Sequence, residues 1–594
     1  MADHGVVGDG QTAALVALDG SIDFLCLPRF DSPGVFLRLL DAAQGGAFDV
    51  VPALTGRRIS QRYVRDTNVL ITRLAGAEGT VEIRDFMPME RVPGAPRLVR
   101  RVSGRRGRVS LRVRCAVRFD YARTVPRIEL HGSRATLREP AGPLALRLRS
   151  PVPLHRDGDD VVAHLALCPG EHATFVLELV AGGARLSDPE PRPAATGVRS
   201  TLRFWREWIS QCAYDGPWRD AVRRSALVLK LLQYRPTGAL VAAPTFGLPE
   251  QVGGARNWDF RYAWIRDAAF AAYALQRLGF REEMAAFIQF AASRCEQSAA
   301  PGELQPMYRV DGSTDLAEHT LDHLAGHRGS RPVRVGNGAY DQLQLDIYGE
   351  LIDALYASDE HGAPATAALW RHVTTLTEWV CRNWERPDQG IWEVRAGCRH
   401  FLYSRVMCWV AVDRAIRMAE RRSRPAPLSR WREVRQAIRH DVEERFWSER
   451  EQCFVGERDS HALDASCLVM PLVQFIAPED PRWRCTMRAL ERHLVQDGLV
   501  RRYAMPGMDT DAAAPTQPFF TICSFWYIEC LARAGETRRA AELFAKLLGH
   551  ANHLGLFSED IGRDGELRGN FPQGLTHLAL IGAALALPGE HAGG

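Results

Sequence analysis

The chain has 594 residues and a formal net charge of +4, which is small beside its 75 basic and 71 acidic side chains. Charged residues make up 25% and hydrophobic residues 46% of the sequence, an ordinary composition for a globular protein. A chain of this length exceeds what one hydrophobic core supports, so we expect at least two domains. The near balance of charge gives no indication of a nucleic-acid partner.

Thirteen cysteines are spread from Cys26 to Cys530 without a Cys-x-x-Cys pair or a Cys/His cluster at metal-ligand spacing. Their odd number and apolar neighbours predict reduced, mostly buried thiols. The segment from Met1 to Gly5 lacks the basic and apolar regions of a secretory signal, and no stretch of about 18 apolar residues occurs. We therefore expect a cytoplasmic protein without a membrane partner.

The region from about residue 68 to residue 180 alternates hydrophobic and polar residues in short stretches separated by Gly, Pro and Asp. Clear examples lie at residues 69–74, 109–114 and 174–179. A period of two with turn signals at this spacing is typical of an antiparallel β-sandwich. We therefore predict an all-β amino-terminal domain over residues 1–190.

A proline-rich passage at residues 187–193 closes this region, and the hydrophobic period then becomes helical. We assign residues 191–217 to a linker and residues 218–594 to an all-α domain. About twelve amphipathic helical segments follow one another in it, and sequential helix pairs of this number would suit a closed barrel of helix pairs. A solenoid is the alternative, although the sequence shows no repeat of fixed period.

Residues 256–267 combine aromatic and charged side chains in one stretch that opens a predicted helix. Aromatic rings such as Trp264 stack on sugar rings, and side chains such as Arg266 and Asp267 hydrogen-bond to hydroxyl groups. The mixture therefore suits a carbohydrate pocket. A helix-terminal cluster of ion pairs with core tryptophans explains the same residues, and this stretch alone does not separate the two interpretations.

Two glutamates stand beside hydrophobic residues in separate segments. Glu393 follows Trp392 shortly after a turn at residues 387–390, and an aromatic face beside a carboxyl raises its pKa, as a general acid requires. Glu559 follows an apolar run at residues 555–557. A pair of separated carboxyls can supply the acid and the base of glycoside hydrolysis. Taken locally, a surface Glu–Arg pair and a helix-capping acid are the simpler explanations.

Other chemistries lack their motifs in this sequence. It contains no phosphate-binding P-loop, no G-x-S-x-G, no H-E-x-x-H and no G-x-G-x-x-G after a strand. The nearest approach to a metal motif runs from Glu318 to His323, with His327 beyond it, but Gly326 and Gly329 indicate that a helix would end there. We therefore predict no metal site.

Taken in order, these segments resemble glycoside hydrolase family 15, the glucoamylase family, and within it the bacterial branch that includes trehalases. The resemblance runs nearly from end to end of the chain. Its motifs lie at residues 8–10, 19–32, 243–245, 248–250, 257–259, 264–267, 329–334, 390–393, 558–559 and 570–573.

The resemblance implies a trehalase-like β-sandwich followed by an (α/α)6 catalytic barrel with the active site in the barrel mouth. By motif, Glu393 falls at the family's general acid and Glu559 at its general base. The resemblance implies an inverting mechanism, in which the two carboxyl groups lie roughly 6.5 to 9.5 Å apart. The residues expected to wall the pocket or contact the sugar are Trp264, Arg266, Asp267, Arg331, Trp392 and Arg502.

Two departures from the family concern the pocket beyond the first glucose. Residues 516–520 stand where bacterial relatives often have a Gly-Glu-Glu-Gly-type segment, and Phe24 replaces a common tryptophan. The resemblance implies an inverting, exo-acting α-glucoside hydrolase with trehalose as the leading substrate and maltose, isomaltose or short α-glucans as the alternative. A non-catalytic sugar-binding or regulatory protein is the hypothesis of a different class.

The sequence requires no cofactor, and it leaves a dependence on phosphate or Mg²⁺ open. The expected partner is a small sugar substrate. A homo-oligomer is compatible with the sequence, which does not determine the oligomeric state.

Overall fold

The computed structural model describes residues 3–89, 95–180, 195–503 and 517–587. Strands come first in the chain and helices follow. The first sixteen strands, in chain order, are β1 (His4–Gly8), β2 (Ala13–Ala17), β3 (Ile22–Cys26), β4 (Gly34–Phe36), β5 (Ala47–Pro52), β6 (Arg58–Tyr63), β7 (Leu70–Ala75), β8 (Gly79–Phe86), β9 (Arg97–Gly107), β10 (Val109–Ala116), β11 (Arg127–His131), β12 (Arg134–Arg138), β13 (Ala145–Arg149), β14 (His155–Asp157), β15 (Asp160–Leu167) and β16 (His172–Val180).

These strands form two eight-stranded antiparallel sheets. One has the order β1-β2-β3-β5-β10-β15-β14, with β4 on β3, and the other has the order β11-β12-β13-β16-β9-β8-β7-β6. Strand β10 shows why the two sheets pack as a sandwich. Its Val109, Leu111 and Val113 are buried, while Ser110 and Arg112 between them are exposed. One face of the strand therefore packs inward. The predicted all-β amino-terminal sandwich is confirmed.

A buried ion pair joins the two sheets. Asp85 and Arg100 are direct neighbours across β8 and β9 and are fully buried. The Nε of Arg100 donates to Asp85 Oδ1 at 2.8 Å, and its Nη atoms donate to the backbone carbonyls of Gly20 and of Phe48 in the opposite sheet. Each buried charge thus has a partner, which burial requires.

Thirteen α-helices lie within the described ranges: α1 (Ala195–Ile209), α2 (Arg219–Leu232), α3 (Ile265–Arg277), α4 (Arg281–Gln297), α5 (Ile347–Glu360), α6 (Ala367–Asn383), α7 (Leu402–Arg422), α8 (Leu428–Arg445), α9 (Val469–Leu472), α10 (Pro481–His493), α11 (Thr521–Arg533), α12 (Thr537–Leu548) and α13 (Gly574–Ala586). Two 3₁₀ turns cover His327–Gly329 and Ala465–Leu468. The connecting loops carry two-residue strands at Ala263–Trp264, Met307–Tyr308, His319–Thr320, Arg334–Val335, Trp447–Ser448, Cys453–Phe454, Val495–Gln496, Leu499–Val500, Phe519–Phe520, Asp560–Ile561 and Leu567–Arg568.

Helices α3, α5, α7, α9, α11 and α13 form an inner ring, in which α13 closes on α3. The even-numbered helices from α2 to α12 lie outside it. Burial separates the two sets: α11 buries every residue from Thr521 to Ala532, whereas α8 buries a single stripe of Trp431, Ile438 and Val442. The predicted (α/α)6 barrel is confirmed. Since outer and inner helices alternate, the inner helices run in one direction and begin at the same mouth.

Helix α1 occupies most of residues 191–217, the segment that the sequence assigns to a linker. Its Trp208 stacks on Phe280 with the ring centroids 4.0 Å apart and donates its indole N–H to Glu283 Oε1 at 2.7 Å. Trp205 is also buried. Packing of this aromatic face against the start of α4 orders the helix. Residues 187–193, where the sequence predicts the boundary, lie outside the described residues.

The loop before α3 ties the barrel to the sandwich through Arg261. This side chain is fully buried and pairs with Asp259 through Nη2 at 2.6 Å and Nε at 2.8 Å. Its Nη1 donates to the backbone carbonyl of Ser32 in the sandwich at 2.6 Å. The guanidinium also lies 4.2 Å from the ring centroid of Phe246.

Further hydrogen bonds cross the same boundary. His323 contacts the carbonyl of Tyr121 at 2.7 Å, and Asn552 donates to the carbonyl of His4 at 2.7 Å. The sandwich therefore contacts loops from distant parts of the barrel. Among the described helices, none is both long and apolar enough to span a membrane.

We expect Arg261→Met to lower the free energy of unfolding by about 3–5 kcal/mol, because it leaves Asp259 charged and buried without its cation. Denaturant unfolding followed by circular dichroism measures the change. Arg538→Met is the control, since Arg538 is an exposed partner of Glu542 on α12 and its loss should leave the midpoint unchanged. Equal midpoints for the two variants would contradict the importance of the Arg261 contact.

Candidate active site

A cavity of about 490 Å³ opens at the mouth where the inner helices begin. The first turn of α3 and the starts of α11 and α13 contribute to its wall. It brings together seven of the eight residues that the sequence singled out, namely Trp264, Arg266, Asp267, Trp392, Glu393, Arg502 and Glu559. Their individual roles stay predictions, but their gathering into one cavity is a property of the fold.

Arg331 is the exception among the predicted residues. It is exposed, its Nε donates to the backbone carbonyl of Ala325 at 3.2 Å, and it does not belong to the cavity wall. Arg334, three residues further along the same motif, lines the cavity instead. Sequence spacing alone does not distinguish two arginines in one loop, because their directions depend on the local turn.

The two glutamates stand on opposite sides of the ring. Glu393 lies in the loop that leads into α7, and Glu559 lies in the loop that leads into α13. Helices α7 and α13 are three positions apart in a ring of six inner helices, so the two carboxyls approach the cavity from opposing directions. Both glutamates line it.

Glu393 is held in an unusual backbone conformation by a dense set of donors. Its φ of 56° lies in the left-handed region, which a non-glycine residue adopts at a cost of about 1–3 kcal/mol. Its Oε1 accepts from Trp264 Nε1 at 2.6 Å, from Arg266 Nη2 at 3.1 Å and from Gln344 Nε2 at 3.3 Å. Its Oε2 accepts no hydrogen bond from the described residues. This second oxygen is therefore the one available to carry a proton.

The aromatic contact at Glu393 differs from the expectation. Trp264 meets the carboxylate with its indole N–H, whereas Trp392 donates its own indole N–H to Asp464 at 2.8 Å. Trp392 also packs against Phe520 with the ring centroids 5.5 Å apart. The neighbouring tryptophan thus serves as wall, and the more distant one in sequence orients the glutamate.

Arg266 connects Glu393 to the start of α5. Its Nη1 donates to Asp346 at 2.6 Å and to Gln344 at 3.0 Å, so both ends of the guanidinium are fixed. The adjacent Asp267 lies in the first turn of α3, where burial raises the pKa of its carboxyl to about 7 against the opposing effect of Arg266.

Glu559 has the opposite kind of environment, with few donors and strong burial. The Nη2 of Arg502 donates to its Oε1 at 3.2 Å, and its buried Oε2 has no hydrogen-bond partner among the described residues. Burial is the largest cause that raises the pKa of this carboxyl well above its usual value, and the negative charges of Glu250 and Asp560 add to it. A carboxyl with a raised pKa is a stronger base once it is ionised.

Gly569 makes room for the Glu559 side chain. A Cβ atom on Gly569 would lie 2.5 Å from Glu559 Oε2 and 2.7 Å from its Cβ. The φ of Gly569 is +77°, which also favours glycine. The position of Glu559 therefore depends on the missing side chain at residue 569, directly before the motif at residues 570–573.

Glu250 is a cavity residue that sequence reasoning did not assign. It lies 96% buried in the cavity wall and accepts a hydrogen bond from Trp258 Nε1 at 3.1 Å. It also forms ion pairs with Arg256 Nε at 3.1 Å and with Arg502 Nη1 at 3.3 Å. The signal that was available is its place in the motif at residues 248–250, but nothing in that motif reveals the contact with Arg502, which lies far along the chain.

The outer part of the cavity is formed by a tryptophan between two arginines. The guanidinium groups of Arg334 and Arg395 lie 4.7 Å and 4.2 Å from the ring centroid of Trp258, and both pair with Glu318. Trp258, Arg334 and Arg395 all line the cavity. In the described ranges, no three His, Cys, Asp or Glu side chains are grouped so that they could hold a metal ion.

A helical barrel with paired carboxyls in its mouth, behind a β-sandwich, is the architecture of a glycoside hydrolase. The family model of "Glycosyl hydrolases family 15" matches residues 216–585, and the model "Trehalase-like, N-terminal" matches residues 1–205. The chain belongs to glycosyl hydrolase family 15.

Individual relatives agree with the family. The chain is 38% identical to a trehalase of Mycolicibacterium smegmatis over 98% of this chain and 91% of that protein, and 35% identical to a trehalase of Thermoplasma volcanium over 98% and 92%. A bacterial glucoamylase solved in complex with acarbose has a TM-score of 0.75 at 10% identity, covering 98% of this chain and 94% of that one. The latter likeness shows the fold.

We expect Gly569→Ala to lower the hydrolysis rate by about 100-fold. The added methyl group would push the Glu559 carboxyl out of position, and a small misplacement of a reacting group is enough for such a loss. Gly565→Ala is a matched control: its φ is +79°, but the nearest atom to an added Cβ is His550 Nδ1 at 3.8 Å. Both variants should lose about 1 kcal/mol of stability through backbone strain. Steady-state rates and thermal unfolding measure the two effects, and equal rates for the two variants would contradict the steric role of Gly569.

Proposed function

We propose that this protein is an inverting, exo-acting α,α-trehalase that releases glucose from trehalose. The observation that carries the proposal is the similarity to trehalases along 98% of the chain, at 38% and 35% identity in the two relatives described above. It includes the amino-terminal sandwich, whose family model is named for trehalase, as well as the barrel.

Glu393 is the general acid of the proposed reaction. Three donors occupy its Oε1, so a proton carried on Oε2 is available to the glycosidic oxygen. As that oxygen takes the proton, the bond to the anomeric carbon breaks and the leaving glucose departs with the oxygen. Arg266 and Trp264 hold the carboxyl in place, and in a closed site such positioning contributes to the rate.

Glu559 is the general base, acting from the other side of the ring of helices. It removes a proton from a water molecule as that water attacks the anomeric carbon on the face opposite to Glu393. The low number of donors to its carboxylate favours proton uptake. A single displacement of this kind inverts the configuration at the attacked carbon.

The proposed chemistry uses two carboxyls and water, and we propose that it needs no cofactor. We also place the enzyme in the cytoplasm, where its thirteen free cysteines would stay reduced. Eight of these thiols are buried. Assays with and without phosphate and Mg²⁺ test the cofactor proposal directly.

We expect trehalose to be hydrolysed with a higher kcat/KM than maltose, isomaltose or maltotriose in a glucose-release assay. Glu393→Gln and Glu559→Gln should each lower turnover of trehalose by about 100-fold or more, because each removes one proton transfer. Faster release from maltose would favour a glucoamylase-like enzyme. No release from any of the four sugars would leave a non-catalytic sugar-binding protein.

Inversion gives a distinct product ratio with trehalose. The attacked glucose leaves as the β-anomer, while the other glucose keeps its oxygen and its α configuration. Proton NMR during the first minutes, before mutarotation, should therefore show equal amounts of α- and β-glucose. Formation of α-glucose alone would mean retention and would exclude Glu559 as a base that activates water.

The acid side of the pH profile follows from Glu559. A general base acts in its ionised form, and burial with two neighbouring carboxylates raises the pKa of Glu559 well above its usual value. Activity should therefore be lost as the pH falls through this raised value. We expect the acid limb of kcat/KM for trehalose to lie clearly above the ordinary glutamate value of about 4.3. A limb near that ordinary value would contradict the assignment.

A further inference from the structure

Glu250 belongs to a buried charged cluster that surrounds the proposed base. Arg502 joins its members: Nη1 contacts Glu250 Oε2 at 3.3 Å, while Nη2 contacts Glu559 Oε1 at 3.2 Å and Asp560 Oδ2 at 3.3 Å. Arg256 adds a second guanidinium, with its Nε 3.1 Å from Glu250 Oε2. The three carboxyl groups and Arg502 are all at least 92% buried.

The cluster has more acids than bases. Three carboxylates and two guanidiniums leave one negative charge if every group is ionised. Burying an unbalanced charge is costly, so the cluster gains stability by holding one proton. The three carboxyls therefore compete for a single proton, and the one whose negative charge is least stabilised by hydrogen bonds and ion pairs takes it.

The hydrogen bonds and ion pairs identify the carboxyl that takes the proton. Glu250 contacts three separate side chains: Trp258 donates a hydrogen bond to its Oε1, and two arginines form ion pairs with its Oε2. Asp560 accepts from Arg502 at 3.3 Å on both oxygens. Glu559 accepts on one oxygen only. Its ionised form is therefore the least stabilised of the three.

We propose that Glu250 is a positioning residue that, through the shared Arg502, makes Glu559 the proton acceptor of the cluster. The inference rests on the proposed function, in which Glu559 activates water. Glu250 draws one end of the Arg502 guanidinium away from Glu559 and adds a negative charge nearby. Both effects strengthen Glu559 as a base, consistent with the direction in which burial and its neighbours move its pKa.

The remaining charged groups near Glu559 do not replace Glu250 in this role. Asp560 is fixed by its place in a short strand, where it pairs with Phe520 and Arg568. Arg266, Asp267 and Glu393 line the same cavity, but the first of these bonds to Glu393 and Asp346 instead. Phe520, under the Arg502 guanidinium at 4.0 Å, carries no charge.

Glu250→Gln tests the proposal by removing the charge while it keeps an acceptor for Trp258. We expect the acid limb of kcat/KM to move to lower pH by about one unit, because a neighbouring negative charge is gone. Glu250→Asp keeps the charge, so the acid limb of kcat/KM should stay at the pH found for the unmodified enzyme. A role in packing alone would lower the rate at every pH, and the limb would not move.

Two further variants make the test independent of one substitution. Arg256→Gln removes a positive charge from the same cluster, so its limb should move in the opposite direction, to higher pH. Glu283→Gln is the matched control, because Glu283 is also buried and also accepts from an indole N–H and a cation, Trp208 and Lys230, but lies outside the cavity. Its limb should stay in place.

The outcomes separate this inference from the proposed function. If Glu559→Gln remains active on trehalose, the assignment of the base is wrong. If Glu559→Gln is inactive but the limbs of Glu250→Gln and Arg256→Gln coincide with that of the unmodified enzyme, the base stands and the role of Glu250 is overturned. Opposite shifts in these two variants, with Glu283→Gln unmoved, support it.

Discussion

Two arginines allow the cavity to hold its buried carboxylates. Arg266 joins Glu393 to Asp346, and Arg502 joins Glu559 to two further acids. A carboxylate taken out of water without a cation costs several kcal/mol, so these contacts stabilise the two glutamates proposed as acid and base in this site. Each guanidinium presents several donors in a fixed plane, which lets one side chain orient two or three carboxyls at once. The positions of the two glutamates are therefore set by their cations.

The barrel supplies the setting in which this arrangement is useful. Because the inner helices start at one mouth, their partially positive amino-terminal ends surround the acids there. Asp267 occupies the first turn of α3, the position where a negative charge is most favoured. The two glutamates then differ in the number of donors that contact them: one oxygen of Glu393 accepts from three side chains, whereas the Glu559 carboxyl accepts from Arg502 alone among the described residues. The two carboxyl groups share the same electrostatic surroundings but accept different numbers of hydrogen bonds, which is consistent with the different roles proposed for them.

Much of the fold and most of the candidate site residues could be predicted from the sequence. The residues that could not be predicted are those whose contacts join distant parts of the chain or depend on how a loop turns. The sandwich follows from a hydrophobic period of two, and the helical domain follows from a period of 3.6 residues, while its closure into a barrel follows from the family resemblance. Seven of the eight site residues predicted from motifs lie in the cavity wall. Gln344 and Asp346 could not be inferred, because their contacts with Arg266 join residues 78 and 80 positions apart. Glu250 depends on a still longer connection. The choice of Arg334 over Arg331 depends on how one loop turns, which composition and spacing leave undetermined.

The contacts between sandwich and barrel have a consequence for how such a protein changes over generations. Arg261 reaches the sandwich from the same loop that carries Trp264 and Arg266 into the cavity, and it ends on a backbone carbonyl of Ser32. A mutation that shifts the sandwich loop at Ser32 therefore displaces Arg261, which is only a few residues from the cavity residues Trp264 and Arg266. Recombination that exchanged one domain between distant homologues would separate groups that have adapted to each other. The two halves are expected to be inherited together and to diverge in step.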